Sequence, residues 1–303
     1  MTDRLFTDDE LIALARPPAA ELDRLLHTGA TDRVGTFATS IQRSWQGAIV
    51  GYHDWIAHTQ AYLFERHGAP ALSRLVPLTG RLLAIHPDRD LAGGGEDPSA
   101  VPEALADLAA AGDVDAVISR FGRWKDEQRR VHDLLRDWVS VLLSHVYERY
   151  GVDELESAIR YAGERTLLAW MPSDIARPPE KRLTSWARML HGHFTSFSLE
   201  EDDRKFTIVQ DPCGSCSRQI LQGRYDPPIS LAVVRQPHLV SWGRGDTPIY
   251  RAHVPVMHQL MPDQAIGVPW PVNLCPAGLG TGPCRILLYK DPLDAGAKEW
   301  FPS

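Results

Sequence analysis

Residues 131–151 read VHDLLRDWVSVLLSHVYERYG, and residues 52–68 read YHDWIAHTQAYLFERHG. The two stretches align without gaps at an offset of 83 residues. This alignment places Asp54 opposite Asp137. The other identical pairs are Trp55 and Trp138, Glu65 and Glu148, Arg66 and Arg149, Gly68 and Gly151, and Leu72 and Leu155. Apolar residues recur at helical spacing in both copies, and each copy ends in a glycine suited to a helix C-terminus. We therefore predict a duplicated helical hairpin, with copies at about residues 45–75 and 128–160.

The character of the chain changes near residue 185. More than half of the 23 prolines lie after residue 190, together with short apolar runs such as residues 206–209, 229–234 and 285–289. Such runs have the length and the β-branched content of strands. The sequence predicts an α+β protein, with a helical domain at residues 1–185 and a small antiparallel-sheet domain at residues 186–303.

Composition excludes several classes of partner. The formal net charge is −7 and no basic patch stands out, which argues against nucleic-acid binding. No apolar run reaches the length of a membrane span, and the N-terminus lacks the pattern of a secretory signal. We expect a cytoplasmic protein, of the Ala-, Arg- and Leu-rich type common in bacteria, whose partner is a small-molecule substrate. A homodimer is one of the possible oligomeric states, and we leave the oligomeric state open.

All four cysteines follow residue 210, and four histidines lie near them in the sequence. They are Cys213, Cys216, Cys275 and Cys284, with His191, His193, His253 and His258. Thiolate and imidazole are the ligands that zinc prefers. We predict a zinc site, with iron as the alternative, held by Cys213, His253, Cys284 and His191. The roles of Cys216 and Cys275 stay open.

Two further residues are candidates for catalysis. Glu200 belongs to the acidic run between the paired histidines and the CxxC motif, and a catalytic zinc site needs a carboxylate as general base. His193 is the second candidate, either as a catalytic group or as a ligand in place of His191. Trp55, Trp138 and His145 lie on the duplicated helices and are predicted to line the substrate pocket.

The chain resembles a known family in two places. Residues 148–158, ERYGVDELESA, and the C-terminal pattern from His253 through Gly267 and Pro276 to residues 280–284, GTGPC, are similar to bacterial L-2-amino-thiazoline-4-carboxylate hydrolase-like proteins and the related 4-vinyl-reductase-type domains. This resemblance implies helices with a small sheet and the hydrolytic opening of a small heterocycle that contains a C=N or C–S bond. It also implies that Cys213, His253 and Cys284 are site residues.

These observations predict a metal-dependent enzyme that breaks a C–N or C–S bond of a small molecule by hydrolysis or elimination. One alternative is a sensor or binding protein in which four protein ligands close a structural zinc site. The other is a metal-free hydrolase in which His191 or His193 activates Cys213 as a nucleophile.

Overall fold

The computed structural model describes residues 4–86 and 97–295, and it confirms the predicted α+β class. Helices make up most of the described chain as far as Gly192, and a small antiparallel sheet follows. The helices are α1 (Asp8–Ala15), α2 (Pro18–His27), α3 (Val34–His67), α4 (Ala69–Ser73), α5 (Val76–Ile85), α6 (Val101–Ala110), α7 (Val114–Tyr150), α8 (Val152–Arg165), α9 (Leu167–Ile175), α10 (Pro179–Gly192), α11 (Cys216–Leu221) and α12 (Met261–Ile266).

The two copies of the repeat form the two longest helices among the described residues, α3 with 34 residues and α7 with 37. Both end at the predicted glycines, where φ is 73° at Gly68 and 95° at Gly151. Glycine adopts these left-handed angles without a steric penalty, so each helix stops there and a second helix begins. The repeat has diverged in its interior, since Asp137 is fully buried whereas its counterpart Asp54 is exposed.

The main sheet has four antiparallel strands in the order β1-β2-β6-β5. The strands are β1 (Phe197–Glu201), β2 (Lys205–Gln210), β3 (Val233–Val234), β4 (Thr247–Pro248), β5 (Val272–Leu274) and β6 (Cys284–Tyr289), of which β3 and β4 form a separate pair. The register places Gln210, at the end of β2, opposite Cys284, at the start of β6. The turn after Gln210 therefore carries the CxxC motif back towards Cys284.

The helical and sheet-bearing regions share their largest hydrophobic core. Leu142 and Ala158 of the helices belong to one buried cluster with Val256 and Met257 of the C-terminal region. The predicted boundary at residue 185 falls within α10. No helix among the described residues is both long enough and apolar enough to cross a membrane.

Candidate functional site

A cavity of about 1180 Å³ lies between the helices α3 and α10 and the C-terminal region. Gly192 allows these two helices to approach closely, since a Cβ atom there would lie 2.4 Å from the carbonyl oxygen of Ser44. The lining residues that carry chemistry are Tyr52, Trp55, His193, Cys213, Ser215, Cys216, Tyr250, Arg251, His253, His258, Cys275 and Cys284. Five of the predicted site residues thus meet around one cavity, namely Trp55, His193, Cys213, His253 and Cys284.

Two of the predicted ligand and catalytic residues, His191 and Glu200, do not line the cavity. His191 and His193 stand two positions apart at the end of α10, and side chains at that spacing on a helix point in different directions. His191 donates from Nε2 to the carbonyl oxygen of Leu14 at 3.0 Å, whereas His193 lines the cavity. Glu200 is exposed, because it alternates along β1 with the partly buried Leu199.

Trp138 and His145, both on α7, also lie outside the cavity lining. Trp138 is half-buried and packs against the shared core. His145 contacts the ring of Tyr150 edge-on at 6.1 Å, and its Nε2 is buried without a hydrogen-bond partner among the described residues. The helical wall of the cavity is built instead by residues of α3, which include Tyr52 and Trp55.

The four cysteines are free thiols that come together at one end of the cavity, and we call them the thiol cluster. The sulfurs of Cys213 and Cys216 are 3.9 Å apart, and the Cys284 thiol contacts both of them and Cys275. Gly214 fits the CxxC turn against the end of α10, since a Cβ atom there would lie 2.2 Å from the carbonyl oxygen of His193. The turn therefore has no room for a side chain at position 214.

Arg251 supplies a positive charge to the thiol cluster. Its side chain is almost fully buried, and its guanidinium donates to the carbonyl oxygens of Pro276 at 2.6 Å, Gly278 at 2.8 Å and Gly280 at 3.0 Å. Among the residues that the structure describes, no carboxylate pairs with Arg251, and the acidic groups that act on it are thiols, with that of Cys216 first. A buried cation is costly unless an anion accompanies it. The buried charge of Arg251 therefore favours a thiolate in the thiol cluster.

Cys216 is the thiol best placed to ionise. The pKa of Cys216 lies well below its ordinary value, because the thiols of Cys213 and Cys284 hydrogen-bond to its sulfur and Arg251 lies beside it. The pKa of Cys213 is raised well above the ordinary value, because its thiol is hydrogen-bonded to Cys216 and Cys284 and is buried. The position of Arg251 beside Cys216 therefore favours Cys216 as the site of the thiolate, whereas the metal-free alternative drawn from the sequence had placed the nucleophile at Cys213.

The fit of a metal ion to these residues is incomplete. Within residues 4–86 and 97–295, no group of three or more His, Cys, Asp or Glu side chains could hold a metal ion as placed. The predicted ligands Cys213, His253 and Cys284 do share the cavity, but His191 does not.

A row of hydrogen-bonded side chains leads from the protein interior to His193. Asp133 Oδ1 lies 2.9 Å from His132 Nδ1, and His132 Nε2 lies 2.9 Å from His193 Nδ1. Burial lowers the pKa of His132 to about 4 and that of His193 well below its ordinary value. Both imidazoles are therefore neutral near pH 7.

Two tyrosines connect this row to the thiol end of the cavity. The hydroxyl groups of Tyr52 and Tyr250 lie 2.8 Å apart, and the Tyr52 hydroxyl lies 3.4 Å from His193 Nδ1. Burial raises the pKa of Tyr52 to about 12, so that its hydroxyl stays protonated. Both hydroxyls also lie near Ser215, which directly precedes Cys216. The cavity therefore combines a thiolate, neutral imidazoles and protonated hydroxyls.

Comparisons with known proteins give no relative from which these roles could be taken: no family model, no curated protein and no solved structure matches the chain.

Several functional candidates were missed from the sequence, above all Arg251, His132 and Asp133. Arg251 stands within the Tyr250–His253 stretch that had drawn attention to His253, but nothing local shows that its side chain is buried. His132 and Asp133 lie near the start of the second copy of the repeat, where nothing in the sequence distinguished His132 from an ordinary core or surface residue. The His-Asp pair stands in the charged stretch 125–137, KDEQRRVHDLLRD, so no local signal distinguished it.

Proposed function

We propose that this protein is an enzyme that breaks a C–N or C–S bond of a small molecule by hydrolysis, with the Cys216 thiolate as nucleophile and His193 as general base. The observation that carries the proposal is the buried Arg251, whose acidic neighbours among the described residues are thiols. Cationic neighbours lower thiol pKa values at reactive cysteines, and the thiolate is the reactive form. The cavity beside Cys216 is large enough to enclose a small substrate.

The chemistry follows in two steps. In the first, the Cys216 sulfur adds to the electrophilic carbon, the C–N or C–S bond breaks, and the leaving atom takes up a proton from the cavity hydroxyls. In the second, His193 Nε2 removes a proton from water, the water oxygen bonds to the same carbon, and the C–S bond to Cys216 breaks. Return of that proton to the hydroxyls restores the site, so that the net reaction consumes one water per bond broken.

The exposed charged residues that line the cavity favour a substrate that carries a negative group. Three exposed arginines line the cavity, Arg43, Arg165 and Arg188, against one exposed carboxylate, Asp54. The whole chain, in contrast, has a formal net charge of −7. A cleft lined by one sign of charge attracts ligands of the opposite sign. A carboxylate on the substrate would also suit the hydrolases that the sequence resembles.

A second candidate is a zinc-dependent enzyme that uses the same thiols. Two thiolates bound to a tetrahedral zinc ion at about 2.3 Å lie roughly 3.8 Å apart, close to the 3.9 Å between the Cys213 and Cys216 sulfurs. In this candidate Cys213, Cys216 and Cys284 would hold the ion after their side chains turn towards it, and the ion would activate water. Closure by Cys275 as a fourth ligand would make the site structural, as in a binding protein.

Metal analysis and thiol mapping test the proposal together. Protein purified without chelator is analysed by elemental mass spectrometry, then treated with limiting iodoacetamide at pH 7 and mapped by peptide mass spectrometry. We expect metal far below one ion per chain and alkylation at Cys216. Cys216→Ser should abolish this early labelling, whereas the matched Cys275→Ser variant should retain it.

One zinc ion per chain, lost in Cys216→Ser, would replace the nucleophile proposal with the zinc candidate. Retention of that ion in Cys275→Ser would then indicate three thiolate ligands with an open position, and its loss would indicate a closed structural site. Preferential alkylation of a cysteine other than Cys216 in metal-free protein would reject the assignment of the nucleophile.

A further inference from the structure

In the hydrogen-bonded row Asp133–His132–His193, the charge state of Asp133 determines which atom donates in each hydrogen bond. Asp133 is held by Arg218 at 2.6 Å and by Arg136 at 3.3 Å. Two guanidinium groups at such distances stabilise the charged carboxylate. The pKa of Asp133 lies far below its ordinary value, because the hydrogen bond with His132 and the charges of Arg136 and Arg218 outweigh the effect of burial. An ionised carboxylate has no hydrogen to donate, so each of its hydrogen bonds must be an accepted one.

This requirement determines which ring nitrogen of His132 carries the hydrogen. Its Nδ1 lies 2.9 Å from the Asp133 oxygen, so Nδ1 must carry the hydrogen. Arg218 Nη2 approaches the same nitrogen only at 3.3 Å, while it donates to Asp133 at 2.6 Å. A neutral imidazole has one N–H and one lone pair, so His132 Nε2 is an acceptor.

The same reasoning then fixes His193. His132 Nε2 lies 2.9 Å from His193 Nδ1 and can only accept, so His193 Nδ1 carries the hydrogen. His193 Nε2 is left with its lone pair, and it has no hydrogen-bond partner among the described residues, while the ring lines the cavity. We infer that Asp133 and His132 are positioning residues that hold His193 as the Nδ1–H tautomer and present its Nε2 lone pair to the substrate.

This inference rests on the proposed function, in which His193 is the general base. It explains how Nε2 of His193 is kept unprotonated and oriented. A general base needs an unprotonated nitrogen that points at the reacting proton. When Nε2 takes up a proton, the positive charge on His193 is stabilised through His132 by the carboxylate of Asp133. A carboxylate that orients a histidine in this way is a recurring device at hydrolytic sites.

Nuclear magnetic resonance of ¹⁵N-histidine-labelled protein tests the inference without substrate. The two ring nitrogens of each neutral histidine give separate signals that report which one carries hydrogen. We expect both His132 and His193 to be Nδ1–H tautomers at neutral pH, with assignments made from the His132→Phe and His193→Gln variants.

In His132→Phe the nearest remaining partner of His193 Nδ1 is the Tyr52 hydroxyl at 3.4 Å, which can donate to it. His193 should therefore change to the Nε2–H tautomer, with loss of its Nδ1–H signal. The matched control is His145→Phe on the same helix, which should leave His193 unchanged because His145 lies outside the cavity.

Two results would overturn the inference: an Nε2–H tautomer of His193 in the wild-type protein, or an unchanged His193 tautomer in folded His132→Phe. If His132→Phe does not fold, the wild-type tautomer alone decides. These outcomes are separate from the labelling of Cys216, so the positioning inference and the nucleophile proposal can fail independently.

Discussion

Replacing Arg251 by methionine should lower the rate of Cys216 alkylation at pH 7 by at least about tenfold, because the thiolate loses its neighbouring cation and takes up a proton. The same change removes the donor to the carbonyl oxygens of Pro276, Gly278 and Gly280. Buried acceptors left without donors are costly, so we expect the free energy of unfolding to fall by about 3–5 kcal/mol. Urea unfolding and timed iodoacetamide labelling measure the two effects.

The matched control is Arg235→Met in the same part of the chain. Arg235 pairs with Asp246 at 2.7 Å, but both side chains are more than half exposed. An exposed pair contributes about 0–1 kcal/mol, and this one lies outside the cavity lining, so the Cys216 alkylation rate should not change. If Arg251→Met labels Cys216 as fast as the wild type, Arg251 does not stabilise a thiolate.

Replacing Arg136 by leucine should be the most destabilising change in the helical region, at about 3–5 kcal/mol. Arg136 is fully buried and lies 2.8 Å from Asp137 and 3.3 Å from Asp133. Its removal leaves Asp133 with Arg218 at 2.6 Å and Asp137 with Arg224 at 3.1 Å, but it breaks the buried hydrogen bonds that Arg136 donates to both carboxylates. Chemical denaturation followed by circular dichroism measures the loss.

Two further variants make the test specific. Arg129→Leu on the same helix removes an exposed pair with Asp126 at 3.4 Å and should cost about 0–1 kcal/mol. Adding Asp137→Asn to Arg136→Leu should not restore the stability, because Arg224 would then lose its charged partner at 3.1 Å. Equal losses in Arg136→Leu and Arg129→Leu would show that the buried pair does not stabilise the fold.

The helical part of the fold was predictable because its signals are local. The repeat, the helical spacing of apolar residues and the glycines at positions 68 and 151 all act within one or two turns, and α3 and α7 end where these signals indicate. The strands β2 and β6 were also recognisable from their β-branched runs. The shared core was not, because its contacts join residues about a hundred positions apart.

The candidate site was predictable only in its residue types. Cysteine and histidine density indicated the C-terminal region, and five predicted residues do share the cavity. The partner of His193 is His132, 61 positions away, and the partners of Arg251 are carbonyl oxygens 25 to 29 positions further on. Every residue has a backbone carbonyl, so residue types do not reveal which carbonyls Arg251 contacts. No sequence pattern therefore indicates that Arg251 is buried.

The pH dependence of Cys216 alkylation tests the central claim most directly. Thiolate concentration rises with pH through the thiol pKa, so a lowered pKa moves the rate profile to lower pH. With iodoacetamide and peptide mapping from pH 5 to 10, we predict that labelling of Cys216 is already at its plateau at pH 7 in the metal-free protein. A rate that rises instead through about pH 8.5, as for an unperturbed thiol, would contradict the assignment of a resident thiolate at Cys216.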